Sequence, residues 1–166
     1  MRKTTSLIFL SIFVICTSLI GYALYLQEVR HLLPCPLCVV QRLAYWLVGL
    51  IALLAFVHRP DTTGRRIYSS LLGVVAFAGA LVALRHAWLM RYPEAFECGI
   101  SPEERFLNTL PVARWWPGMF EANGDCARIS WKFLTLTIPD WSFLCFAGIL
   151  GLAIYVFLAQ DNTNRR

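Results

Sequence analysis

Apolar residues in this chain gather into four long runs, with the polar residues confined to the segments between them. Thr4 to Gln27 carries no charge, Val39 to Val57 carries only Arg42, Ile67 to Trp88 stays apolar until Arg85 and His86 near its end, and Trp141 to Gln160 is again uncharged. About 20 helical residues cross the roughly 30 Å hydrocarbon core of a bilayer, so each run predicts a membrane-spanning helix. The expected fold is an all-α integral membrane protein. It is a bundle of four transmembrane helices over residues 4–27, 39–57, 67–88 and 141–160, in a single domain of 166 residues.

Composition agrees. Hydrophobic residues make up 58% of the chain and the mean hydropathy is +0.58, too apolar for an ordinary soluble domain. Arg2-Lys3 ahead of the first run also suits a secretory signal peptide, but the run is longer than a typical signal and lacks a small-x-small cleavage site. Bulky Phe13 and Ile15 before Cys16 do not suit lipoprotein processing either. The first run is therefore read as a retained helix.

Basic residues set the expected orientation. Arg2 and Lys3, then Arg59, Arg65 and Arg66, then Arg165 and Arg166 flank the runs on one side, which places both termini and the middle loop in the cytoplasm. Segments 28–38 and 91–140 then lie outside, in the periplasm if the membrane is a bacterial inner membrane. The second of these holds five basic and seven acidic residues, so the net charge of +5 mostly marks topology. The basic residues form no stripe with interleaved aromatics, and no nucleic-acid partner is expected.

Of the six cysteines, Cys35, Cys38, Cys98 and Cys126 all fall in the outer segments, where an oxidising compartment would favour pairing. Cys16 and Cys145 lie inside runs one and four and are read as small hydrophobes. Cys35-Pro36-Leu37-Cys38 has the spacing of a redox thiol pair, at the point where a membrane helix begins. A helix N-terminus and Arg42, one turn on from Cys38, both favour thiolate over thiol, the form that attacks disulfides. Glu97 and Asp125 precede Cys98 and Cys126 and work against their thiolates. A Cys98–Cys126 pair can be a structural clamp, stabilising by about 3–4 kcal/mol on the chain-entropy model. With a second pair facing the same compartment, a relay between the two is the stronger expectation. Four outer cysteines as a zinc site fit less well, because Cys98 and Cys126 are not a second close pair, and no metal is expected.

The long outer segment has its own pattern. Ser101-Pro102-Glu103-Glu104 predicts the start of a short helix by its cap, first-position proline and capping-box glutamate. Phe106, Leu107 and Leu110 would form its apolar side. Trp115, Trp116, Met119 and Phe120 continue an aromatic-rich stretch suited to anchoring among lipid headgroups. Asn123-Gly124-Asp125 supplies a flexible turn before Cys126. If the third run rises outward, Arg85 and His86 reach the level of Cys38 and Arg42. A thiolate, cations and an imidazole among apolar helices suit a lipid-soluble carbonyl compound that takes up electrons and protons, such as a quinone.

At these residues the chain resembles the DsbB family of bacterial inner-membrane disulfide-bond formation proteins, over nearly its whole length. The similar segments are Leu33-Pro34-Cys35-Pro36-Leu37-Cys38-Val39-Val40-Gln41-Arg42, then Arg85-His86 to Tyr92-Pro93. Gly124-Asp125-Cys126 follows, with Trp131, Phe133, Leu134 and Pro139-Asp140-Trp141. Gln41 departs from members that carry an acid there. The resemblance implies that a reduced, DsbA-like thioredoxin-fold partner attacks a Cys98–Cys126 disulfide through Cys98, and that Cys126 then attacks Cys35. Cys38 is left against membrane quinone, either ubiquinone or menaquinone, with Arg42 and, by family position, His86 at the quinone site. Two alternatives stand beside this: a paralogue serving a dedicated thiol partner, and a non-catalytic membrane anchor with structural disulfides.

Overall fold

The computed structural model describes residues 2–31, 34–92, 109, 115, 117–120 and 132–164. Expectations for Cys98, Cys126, the capped helix at 101, its apolar residues Phe106, Leu107 and Leu110, Trp116 and the turn at 123–125 lie outside them. The elements are α1 (Arg2–Arg30), α2 (Pro36–His58), α3 (Thr62–Arg91), a single-turn α4 (Pro117–Phe120), a hairpin of β1 (Lys132–Phe133) and β2 (Leu136–Thr137), and α5 (Ile138–Asn164). Among the described residues, four helices are long and apolar enough to cross a membrane, namely α1, α2, α3 and α5. All four run past the bounds set by the apolar residues, because polar turns at their ends stay hydrogen-bonded once the apolar part is helical.

The four long helices form an antiparallel membrane bundle, and three sets of contacts give the register. Arg42 of α2 meets Gln27 of α1 while Gly49 lies opposite Cys16. His86 near the end of α3 meets Gln41 near the start of α2, and His58 at the end of α2 meets Tyr68. Arg91 pairs with Asp140 at 2.8 Å, bringing the end of α3 to the start of α5. The end of α1, the start of α2, the end of α3 and the start of α5 therefore share one end of the bundle. Leu50, Leu54, Val57, Val74, Phe77 and Leu158 are exposed on the outer faces, as expected of a bundle whose solvent is lipid.

Small residues decide how closely α3 is approached. Its buried side reads Ser69, Leu72, Ala76, Gly79, Ala80, Ala83, His86 and Ala87, spaced by three or four, the interval that returns to one face. At Gly79 the Phe146 ring of α5 fills the space a side chain would occupy, since an added Cβ would lie 2.6 Å from it. That ring also stacks on Tyr45 of α2 at 4.1 Å, and the Tyr45 hydroxyl is 3.1 Å from Ser142 Oγ and 3.2 Å from its carbonyl. Three helices thus lock at one aromatic pair, as small residues allow in membrane bundles. Gly79→Val is expected to lower stability by about 1–3 kcal/mol through overpacking, read as an earlier thermal unfolding in detergent; an unchanged midpoint would contradict this packing.

The hairpin was not foreseen from the sequence. Lys132 pairs with Thr137 and Phe133 with Leu136. Leu134 and Thr135 at its tip take φ of 50° and 67°, values that Gly and Asn adopt more readily. It is held onto α5 by the Trp141 indole N–H, which donates to the Phe133 carbonyl at 3.2 Å. Asp140 accepts from the Thr137 backbone N–H at 3.0 Å and from its hydroxyl at 2.6 Å, so one carboxylate ties the hairpin, α5 and Arg91 together.

Candidate functional site

Cys35 is the N-cap residue of α2. Its backbone is extended, Pro36 follows at the first helical position, and its Sγ accepts from the Cys38 backbone N–H at 3.3 Å, the task usually given to a Ser or Asp oxygen. The cap geometry turns the Cys35 side chain back over the first turn and so onto Cys38, whose Sγ lies 3.0 Å away. No disulfide bond joins them in this structure. Little movement separates them from a disulfide. Val82 and Leu89 of α3 pack over Cys35, Cys38 and Leu37, so Cys35 is 3% exposed while Cys38 keeps partial access.

Arg42 is buried, and its guanidinium does not reach into open water. Nη1 donates to Gln27 Oε1 of α1 at 3.0 Å and to the Met119 carbonyl of α4 at 3.3 Å. A buried cation is tolerated only when its donors are satisfied, and these two acceptors hold it one turn below Cys38. Met119 itself is 0% exposed and belongs to the bundle core, which corrects the sequence expectation that it anchors among headgroups; Trp115, at 85% exposed, does point outward. Its side chain in the core and its carbonyl on Arg42 together hold α4 against the bundle.

His86 is 2% exposed. Its Nε2 lies 3.6 Å from Cys35 Sγ, and its Nδ1 lies 3.1 Å from the amide nitrogen of Gln41, which is also buried. Arg85 is exposed, while His86 next to it is buried against the cysteines. Neighbours on a helix point about 100° apart, so α3 turns only one of the two into the bundle. The structure joins Cys35, Cys38 and His86 tightly and sets Arg42 one turn away. Gln41 and Gln27 were missed in the sequence. Gln41 lies four residues from both Leu37 and Tyr45 on the buried stripe of α2, a polar residue among apolar ones, and that was the available signal.

The Cys35 and Cys38 sulfurs and a His86 nitrogen lie within 4.8 Å of one another. With both thiols reduced this donor set suits a soft metal ion. With the sulfurs joined, it is a disulfide beside an imidazole at the end of a membrane bundle. The family model for "Disulfide bond formation protein DsbB" matches residues 5–156. The chain belongs to the DsbB family. Among its relatives, Disulfide bond formation protein B of Nitrosospira multiformis is 67% identical over 98% of this chain and 96% of its own length. That of Nitrosomonas europaea is 64% identical over 88% and 91%. Disulfide bond formation protein B 1 of Pseudomonas aeruginosa is 38% identical over 92% and 94%. As a DsbB-family protein the chain is a multi-pass membrane protein with a redox role in disulfide formation.

The remaining cysteines of this DsbB-family chain within the bundle are far from that chemistry. Cys16 is buried against Gly49 of α2, and Cys145 is half-buried on α5. Replacing both with alanine is expected to leave thiol oxidation within about twofold of the unaltered chain, at a stability cost of about 1 kcal/mol for the lost packing at Cys16, checked by turnover and thermal unfolding side by side.

Proposed function

We propose that the chain reoxidises a periplasmic, DsbA-like thiol oxidase and passes the electrons to membrane quinone, as a protein-disulfide:quinone oxidoreductase of the bacterial inner membrane with both termini in the cytoplasm. The observation that carries this reading is the pair of sulfurs 3.0 Å apart at the N-terminus of a membrane-length helix, with a buried imidazole against one of them. A purely structural clamp has no use for a buried Arg42 and His86 at the same end.

The steps follow from which sulfur each residue presents. A reduced partner thiolate attacks the Cys98–Cys126 disulfide, Cys98 takes the mixed disulfide, and Cys126 leaves as thiolate. Cys126 then attacks Cys35 of the Cys35–Cys38 disulfide; a Cys126–Cys35 bond forms, the Cys35–Cys38 bond breaks, and Cys38 departs with the electron pair. The departing sulfur is received at the N-terminus of α2, where the positive end of the helix dipole and Arg42 favour negative charge. Re-forming the Cys35–Cys38 disulfide from the two thiolates gives up two electrons; a quinone, when bound, would take these with two protons, the number lost by the partner's two thiols. The donor set fits such a group: Cys38 keeps partial access, Arg42 supplies positive charge one turn away, and Leu37, Val82 and Leu89 make the surroundings apolar. Ubiquinone and menaquinone both answer to this chemistry.

The test is quinone absorbance during mixing of purified, detergent-solubilised protein with a reduced DsbA-like protein, using ubiquinone and menaquinone analogues in turn. Catalytic bleaching with partner oxidation supports the reading. A folded protein that reduces neither quinone and leaves the partner reduced would overturn it and favour an anchor with structural disulfides.

A further inference from the structure

The hydrogen-bonded row of Gln41, His86 and Cys35 has a direction. An amide nitrogen can only donate, and it is the nitrogen of Gln41 that lies 3.1 Å from His86 Nδ1. Nδ1 is then the acceptor, the proton of the neutral ring sits on Nε2, and Nε2 is the atom 3.6 Å from Cys35 Sγ. Both polar side chains are nearly inaccessible, with Gln41 at 5% and His86 at 2% exposed. Water therefore offers little competition for these bonds, and with the amide nitrogen at this position a proton on Nδ1 would set two donors against each other.

We propose that Gln41 is a positioning residue that holds His86 as its Nε2–H tautomer, so that His86 donates a hydrogen bond to the Cys35 sulfur whenever that sulfur is released as an anion. The proposal rests on the disulfide-exchange reading above and says what completes its cycle. The partner's second thiolate first attacks the partner's own sulfur in the mixed disulfide with Cys98, so that the partner leaves oxidised and Cys98 is freed as a thiolate. Cys98 then attacks Cys126 of the Cys126–Cys35 mixed disulfide; the Cys98–Cys126 bond forms, the Cys126–Cys35 bond breaks, and Cys35 leaves with the electron pair. No net oxidation occurs in this exchange. His86 keeps its proton and shares it with the departing sulfur, which speeds departure because a better-stabilised thiolate is the better leaving group. Cys35 is left anionic within 3.0 Å of Cys38, where it is needed next. Arg42 cannot do this, being tied to Gln27 and Met119 one turn away. The two cysteines thus have separate attendants: Arg42 and the helix N-terminus for Cys38, His86 through Gln41 for Cys35.

The chain has three histidines, so the variant His31→Gln/His58→Gln reports on His86 alone by ¹⁵N NMR in detergent. A protonated Nε2 with a bare Nδ1 is expected, and Gln41→Glu should put a proton on Nδ1. A protonated Nδ1 in the chain that retains Gln41 would overturn the proposal, and this measurement does not depend on whether Gln41 variants fold. The second readout is alkylation of Cys35 in the reduced, full-length protein, followed at the Cys35 peptide by mass spectrometry. Gln41→Leu and His86→Ala should each slow it about tenfold, the worth of one hydrogen bond to a charged group, and the double variant should be no slower than either. Additive losses, or wild-type alkylation in a Gln41→Leu protein that melts normally, would overturn the proposal. Neither readout uses quinone or a partner protein, so a failure of quinone reduction and a failure of this tautomer assignment are separate results.

Discussion

Cys38→Ser is expected to reduce quinone turnover to below about a thousandth of the unaltered chain while the protein stays folded. The side chains are nearly the same size, and the Cys38 backbone N–H, which bonds to the Cys35 sulfur at 3.3 Å, survives the change. What is lost is the sulfur that, among the described residues, lies against Cys35, and an oxygen cannot replace it. With no Cys35–Cys38 disulfide, Cys126 has nothing to attack after the first exchange. A reduced DsbA-like partner should therefore be oxidised in a single round, at the expense of the Cys98–Cys126 bond, and then no further. Stopped-flow quinone absorbance together with thiol counting on the partner distinguishes the two phases. Sustained quinone reduction by this variant would remove Cys38 from the chemistry and leave the sulfur contact at 3.0 Å without a purpose.

The second large effect belongs to Arg42. Its replacement by leucine is expected to cost about 100- to 1000-fold in kcat/KM for quinone, in the range of losing one preorganised electrostatic stabiliser. The change also removes the donor to the buried Met119 carbonyl and to Gln27, so α4 loses its tie to the helices and stability should fall by about 1–3 kcal/mol. Arg42→Lys keeps the charge, but the ammonium sits on a stem of different reach and must move to meet the two acceptors that now share Nη1, and partial recovery is expected. Gln27→Leu separates the roles: it loosens the guanidinium without removing charge, and should affect turnover less than Arg42→Leu. Steady-state rates at varied quinone, with thermal unfolding of each variant, check the order. An Arg42→Leu protein with unaltered rate and KM would leave the buried guanidinium with a structural task alone.

How much of this was legible before the fold is clearest at neighbouring residues. Arg85 and His86 look alike in the sequence, two polar residues ending an apolar run, yet one is exposed and the other is buried against Cys35. The spacing did hold the answer. His86 follows Ala76, Gly79 and Ala83 at intervals of three or four, and Arg85 does not share that buried stripe. Gln41 was similarly marked as a polar residue on the buried stripe of α2. Its partner was not, because which residue of α3 lies opposite depends on the register of two helices that a short loop permits but does not specify. Met119 carried no such mark, since an apolar residue among tryptophans suits a membrane surface as well as a bundle core.

The sequence by itself determined the four spans, the start of α2 at Cys35 and Pro36, and the pairing of two thiols one turn apart. These are local matters of uninterrupted apolar length, a capping position and a three-residue spacing, and each follows from a stretch of chain shorter than one helix. Only the tertiary structure decided that the imidazole lies against Cys35, that Gln41 meets its other nitrogen, and that Arg42 is held by Gln27 and Met119. Such contacts join residues 15 to 77 positions apart. They exist because small residues on α3 and the Tyr45–Phe146 stack fix the register in which the helices meet.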